Sequence, residues 1–496
     1  MSRISQLEAK ADQLLQNHGI SSHVHIEQRI QLCRILLQEN EDAQKHLFLL
    51  EEHYAPILNS FLETESVSSK IESIPKETSA RKAIKTFLKN EEQGDIFILG
   101  KDNLETESRF LIEFVDLWSI WCEEQGSEEQ LIESTLWRAA AHIRFLGTEN
   151  LDTLHALMQL GITYRTEQEL TLAKDLLLNV HANLCTLMGD DSLPALQAAL
   201  QICILYNMMG MPEEASEIAQ MLVNIWEEEL GSDAPETLMA ICCFAESLFL
   251  IDEYEEALSF FQDALPFLEE QFGDVHEQTL KSVQIMALCF AHLEDSESAS
   301  YLMEERYQRT ISSFGHGSIE AIESLEEWID VLITAEWHEK ASEHLELSLS
   351  LRKQFPEYKS TEENNEENKE DKELKRNVFL LPSLLLKGRL LIEEGYFEEA
   401  TDVLKDVVIL EDLFSTPDLP STDAEQARKL YADALGSSGQ YTAAIESYQQ
   451  ALPILQEAFG NQHKSVVEIE LALDELTSLP HLKLEKNINN LKNNNG

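Results

Sequence analysis

Between Lys174 and Lys281 the chain contains no lysine and no arginine, while 21 aspartates and glutamates fall in the same 106 residues. Over the full 496 residues, 37 bases stand against 91 acids, for a formal net charge of −54. A field of that sign repels phosphates, which argues against a direct nucleic-acid ligand and against an anionic membrane surface. Glycine and proline are also scarce, at 18 and 12. With Leu, Ala and Glu abundant, that scarcity predicts helix through most of the chain. No window approaches 18 consecutive apolar residues, so no transmembrane span is expected. The opening MSRISQLEAKADQLLQNHG has no apolar run of signal-peptide length and reads as an amphipathic helix (Leu7, Ala11, Leu14, Leu15) stopped at Gly19. The seven cysteines include no CxxC pair and sit in apolar stretches, which suits reduced thiols and a cytoplasmic location.

Catalytic signatures are missing as well. The chain has no G-x-x-x-x-G-K-[ST], H-E-x-x-H, G-x-S-x-G or G-x-G-x-x-G. His23 and His25 have no Cys or carboxylate partners at metal-binding spacing. Around Cys242 and Cys243 no base is present to lower a thiol pKa. Paired glutamates are so frequent that none stands out as an acid/base couple. A non-enzyme without cofactor or metal is the expectation.

What is present is a period. Gly147, Gly189, Gly231, Gly273 and Gly315 are each 42 residues apart, and so are Ala173, Ala215, Ala257, Ala299 and Ala341. Seven residues after each glycine stands Leu154, Leu196, Leu238, Leu280 or Ile322; fourteen after it stands Gly161, Cys203, Ala245, Ala287 or Ile329. Glycine ends a helix, where a left-handed cap costs it little. Polar turns such as DVHEQTL and SDAPETL then open a first helix of about 14 residues, and a short break leads into a longer second helix. The small column on the first helix and the alanine column on the second allow two antiparallel helices to pack closely. Each pair is apolar on more than one face and needs neighbours, so the array stacks as a solenoid.

YEEALSFFQDALPFLEEQFG and YTAAIESYQQALPILQEAFG resemble tetratricopeptide repeats, specifically the 42-residue variety of kinesin light chains. The commoner period is 34. The resemblance implies an all-α, right-handed superhelical solenoid of antiparallel helix pairs, following a helical N-terminal region. The expected organisation is a helical region over 1–63, a linker over 64–104, and a solenoid over 105–356 with one degenerate and five in-phase repeats. A charged flexible insertion over 357–377, further repeats with a capping helix over 378–479, and a low-complexity tail over 480–496 complete it. The insertion explains why Ala400 follows Ala341 by 59 residues, one period plus 17. GDIFILG, Gly94 to Gly100, reads equally as a short strand or a buried turn.

The resemblance further implies that the first helix of each pair lines a concave groove and the second faces outward. On that phase the groove residues are His155, Met158, Gln159, Gln197, Gln201, Asn207, Met239, Cys242, Glu246, Phe249, Gln284, His292, Glu326 and Asp330. Family members that bind acidic peptides use basic groove residues. Here the matching sites hold Met158-Gln159, Leu200-Gln201, Cys242-Cys243, Gln284-Ile285 and Glu326-Glu327, so that ligand preference does not carry over. The acids Glu213, Glu214, Glu217, Glu227 to Glu229, Glu253, Glu255, Glu256, Glu269 and Glu270 fall on second helices or their ends. They read either as a solvated, solubilising shell or as an attractor of a basic partner. The function expected is a scaffold or adaptor that binds a protein or peptide, its flanks basic if the shell is an attractor. An acidic escort of a basic client and a peptide-responsive regulator are the alternatives; oligomeric state is left open.

Overall fold

The computed structural model describes residues 104–125, 128–354, 379–414 and 422–478, together with Ile30, Cys33, Leu47 and Leu50. Expectations for GDIFILG, for the 357–377 insertion, for the 480–496 tail and for most of the 64–104 linker lie outside these residues. The chain forms two compact units, Met1–Ala198 and Ala199–Gly496. All regular structure among the described residues is α-helical. Unit 1 contains α1 (Leu104–Gln125), α2 (Glu128–Leu146), α3 (Leu151–Thr166), α4 (Leu170–Met188) and the start of α5 (Leu193–Met208). Unit 2 continues α5 and adds α6 (Pro212–Glu229), α7 (Pro235–Leu250), α8 (Tyr254–Gln271), α9 (Glu277–His292) and α10 (Ser296–Phe314). It ends with α11 (Ile319–Thr334), α12 (His338–Arg352), α13 (Leu381–Glu393), α14 (Phe397–Phe414), α15 (Thr422–Ser437), α16 (Tyr441–Phe459) and α17 (Lys464–Ser478).

Two kinds of turn alternate along this series, and each has its own backbone requirement. The periodic glycines Gly147, Gly189, Gly231, Gly273 and Gly315, with Gly460, have φ between 86° and 99°. Where they cap α4, α10 and α16, ψ is 156°, 157° and 169°. The expected left-handed helical cap is therefore corrected to an extended conformation at positive φ, a region that is essentially glycine-only. Three residues on, the side chains of Asn150, His276 and Ser318 accept backbone N–H bonds and start α3, α9 and α11.

The other turn, between first and second helix, places Gln168, Gly210, Asp252, Glu294 and Glu336 in the left-handed helical region, φ 59° to 70°. These also repeat every 42 residues, a column that sequence reasoning missed. Each is closed by a Schellman pair of bonds: Glu253 N–H donates to Leu248 O at 2.9 Å and Asp252 N–H to Phe249 O at 3.2 Å, and the others match.

The packing columns sit where the period puts them. Ala173, Ala215, Ala257, Ala299, Ala341, Ala400 and Ala444 are completely buried. A Cβ built on Gly161 would lie 2.7 Å from Leu177 Cδ2, so the Leu177 side chain of α4 fills the space that a larger residue of α3 would need. Gly388, 59 residues after Ile329, meets Leu404 in the same way. In unit 1, Ile30, Cys33, Leu47 and Leu50 share a core with Phe114, Trp118 and Trp121 of α1 and Trp137 of α2.

The phase break at the insertion leaves the core of unit 2 continuous. Ala341 and Leu345 of α12 share a cluster with Trp328 and Leu332 of α11 and Leu390 of α13. Inside it, Arg352 grips Glu326 with Nε and Nη2, each at 2.7 Å, and both side chains are buried. Ser348 and Ser383 donate to the same carboxylate at 2.8 and 2.6 Å, and Arg352 Nη1 donates to the Phe379 carbonyl at 3.1 Å. Helices on both sides of the insertion are thus tied to one fully bonded charge pair.

Replacing Gly189 with Ala adds no clash, since nothing lies within 4 Å of the new Cβ. Its cost is backbone strain alone, about 1–3 kcal/mol, read as a lowered thermal midpoint by circular dichroism. Glu294→Gly, at a left-handed position, should raise that midpoint. Glu326→Leu strands the Arg352 charge and should cost about 3–5 kcal/mol, while Glu326→Leu with Arg352→Met recovers most of the loss in urea melts.

Candidate partner-binding face

The first helix of each repeat is sandwiched, so little of its surface is left over. In α7, Leu238, Cys242, Ala245 and Leu248 belong to the core cluster shared with α8 and α9, and Thr237, Ala240, Cys243 and Ser247 are buried with them. What stays accessible is a stripe eight and fifteen residues after the preceding glycine. In unit 1 these are His155, Ile162 and Gln197, all half-buried, with Met158 and Gln159 beside them. In unit 2 they are Met239, Lys281 and Glu323, then Ile204, Glu246, Leu288 and Asp330, with Gln201 and Gln284 beside them.

Several of the residues assigned to a groove by phase are engaged inside the fold. Asn207 is buried: its Nδ2 donates to the Cys243 carbonyl at 3.1 Å and its Oδ1 accepts the Ser247 hydroxyl at 2.8 Å. Cys242 is buried 3.7 Å from the Ser282 hydroxyl, and burial pushes its thiol up to about 11. Cys243 is pushed up as well, by its neighbour Cys203 first and then by burial. None of these thiols has the character of a nucleophile. Glu326 is the buried partner of Arg352 and lies away from any open surface. Phe249 is half-buried against the rings of Tyr254 and His292, which stack on each other at 4.5 Å. Only His292 of that trio is exposed. It is held below its ordinary pKa by lost hydration first and by Lys464 as well, against the opposing pull of Asp252.

The face carries its charge in pairs. Lys281 donates to Glu246 at 2.8 Å, joining α9 to α7. Arg389 of α13 binds Asp330 of α11 and also reaches Thr334 at 3.3 Å. All four side chains are half-buried, at the edge of solvent, where screening still weakens an ion pair. Lys281, Arg389, Ile204 and Leu288 were missed by sequence reasoning. For Ile204, Leu288 and Arg389 the available signal was the column directly after the small-residue column, shared with Ile162, Glu246 and Asp330 once the insertion is counted; for Lys281 it was the column directly after Leu280, shared with His155, Gln197 and Met239.

The second helices carry the acidic shell. Glu213, Glu214, Glu217, Glu227, Glu228, Glu229, Glu253, Glu255, Glu256 and Glu270 are all exposed. Glu269 is the exception, half-buried and bonded to Arg309 of α10 at 2.5 Å. Among the described residues, no group of three His, Cys, Asp or Glu side chains is placed to hold a metal ion. None of the described helices is long and apolar enough to cross a membrane.

No curated protein matches the chain. Among solved structures, a Rap protein complexed with Competence and Sporulation Factor is similar at 13% identity and TM-score 0.48, covering 86% of this chain and 99% of the other. Aspartyl phosphate phosphatase F from Bacillus subtilis is similar at 12% identity and TM-score 0.42, covering 93% and 96%. A protein from Podosopora anserina, described as a kinesin light chain with nearly identical TPR-like repeats, is similar at 18% identity and TM-score 0.36, covering 40% and 95%. Residues 194–270, from the start of α5 through most of α8, match the tetratricopeptide repeat family. That match places tetratricopeptide repeats at residues 194–270, and the helix pairs with their two alternating caps continue in the same form on either side.

Proposed function

We propose that this protein is a non-catalytic scaffold that binds a segment of another protein along the first-helix face of unit 2. The observation that carries the reading is the stripe of Ile204, Met239, Glu246, Lys281, Gln284 and Leu288, which remains accessible on helices otherwise packed on several sides. Its mixture suits a peptide: apolar anchors for side chains, amides for the backbone, and one exchangeable ion pair. Glu246 and Lys281 are satisfied by each other at the edge of solvent, so a ligand charge can replace either partner without leaving the other unpaired.

The exposed acids of the second helices favour a segment with basic flanks. Charge of one sign concentrated on an outer shell speeds encounter with an oppositely charged partner and makes the rate salt-sensitive. The scaffold would act in the cytoplasm, with thiols reduced.

The first test is a pull-down comparing wild type with Met239→Ala/Leu288→Ala and with a variant of the shell, Glu213→Gln/Glu214→Gln/Glu217→Gln. The face variant should lose bound partner by about tenfold or more, as removal of central apolar anchors does, with an unchanged circular dichroism spectrum. Retention of the same partners at the same level by the face variant would refute the proposal. Raising salt should slow association with a captured partner while dissociation changes less. Association rates that do not respond to salt would assign the shell to solubility alone.

A further inference from the structure

Gly210 is unusual within its own column. It ends α5 in the left-handed conformation, φ 70°, yet Gln168, Asp252, Glu294 and Glu336 hold the same conformation with side chains. Backbone geometry alone therefore does not demand glycine here. The difference is space. A Cβ on Gly210 would lie 3.0 Å from His463 Cα, 3.1 Å from the Gln462 carbonyl oxygen and 3.4 Å from the Lys464 nitrogen. At Gly395 and Gly439, also at positive φ, nothing lies within 4 Å. From the other side, Met209 Cε comes within 3.5 Å of where a Cβ would sit on Gly460. The turn between α16 and α17 thus rests directly on the turn between α5 and α6, at the opposite end of unit 2.

A second set of side chains reports the same approach. The Lys464 charge is felt at His292, at the end of α9, whose ring stacks on Tyr254. The turn that delivers Lys464 is well braced. Gly460 is in its extended positive-φ conformation, the His463 ring packs on Phe459 at 4.5 Å, and His463 Nδ1 accepts the Ser465 N–H at 3.3 Å. Burial holds His463 below its ordinary pKa, keeping the ring in the neutral form that can accept this bond.

We propose that the Gly460–Lys464 turn is a clasp that seats on Met209–Gly210 and closes unit 2 on itself, and that unit 2 opens by releasing it. The contact brings the backbone of one turn against that of the other, with Met209 Cε reaching toward Gly460. Contact between two turns is far less than separate molecules need to hold together. Within one chain it holds because the two turns are kept at high effective concentration by the repeats between them. Helix pairs in unit 2 share continuous core clusters, so the turn-to-turn contact is expected to release before they part. The inference stands first on the packing of the two turns and is independent of what the first-helix face binds.

Paired spin labels at the exposed positions Glu213 and Asn461 in the 496-residue chain test it, in a background carrying Cys185→Ser because the other cysteines are buried. Wild type should give one narrow, short distance population by pulsed dipolar spectroscopy. Gly210→Lys should move that population to longer, broader distances with helix content unchanged, while Gly439→Lys, which adds the same side chain at positive φ in open space, should leave it in place. A long, broad wild-type distribution would overturn the clasp, and so would a Gly210→Lys distribution identical to wild type. If Gly210→Lys does not fold, the wild-type distance decides the question alone.

Discussion

Everything in this molecule depends on how closely the two helices of a repeat approach. At Gly161 the backbone of α3 leaves room for Leu177 and for nothing else, and Gly388 repeats the arrangement with Leu404. The completely buried alanine column on the second helices provides the complementary recess. Close approach brings many atoms within dispersion range, but it buries only one side of each helix. The remaining apolar sides must be covered by the next pair, which is why isolated repeats are unstable and stacked ones are not. The core clusters accordingly run from one pair into the next, as Leu238 of α7, Phe261 of α8 and Cys289 of α9 do.

The two turn types follow from the different tasks of the two connections. Leaving a first helix, the chain must reverse tightly onto its own second helix, and a Schellman turn does this with two backbone bonds to the last carbonyls. Its left-handed residue tolerates Gln, Asp or Glu at modest strain. Leaving a second helix, the chain must run extended into the next repeat at φ above 86°, a conformation in which a side chain collides with its own backbone. Glycine is therefore invariant across the central periods at one turn and occasional at the other. Gly210 is the informative exception, since a neighbour's backbone occupies the space that a side chain would need.

The same distinction explains what could be read from sequence. Steric columns are legible because a single wrong residue type is excluded locally, so glycine, alanine and small residues mark the period and with it the helix pairs. The accessible face is less legible because its occupants are decided by partners far along the chain. Glu326 has the phase of a groove residue, yet Arg352 and the Ser383 hydroxyl, contributed from both sides of the insertion, draw it into the interior. Asn207 reads as a ligand contact until Ser247 and the Cys243 carbonyl, one repeat later, account for its amide. Charge pairing is a tertiary property that periodicity does not encode. Lys281 opposite Glu246 was nonetheless within reach, since the two occupy accessible columns on adjacent first helices.

The distribution of bases carries this argument one step further. In unit 2 the arginines Arg306, Arg309, Arg352, Arg389 and Arg428 all bind carboxylates of the same unit. Lys281 and Lys429 do so too. These bases stitch repeats together or neutralise the first-helix face and, Glu269 apart, leave the exposed acids of the base-free second helices without an ion-pair partner among the described residues. The negative field therefore originates on the exposed second helices of the base-free run, while the first-helix stripe is locally balanced. A balanced surface inside a strongly negative shell separates two physical roles. For the basic-flanked segment we propose, long-range attraction would govern how fast it arrives and would be lost to screening, whereas short-range contacts on the stripe would govern how long it stays.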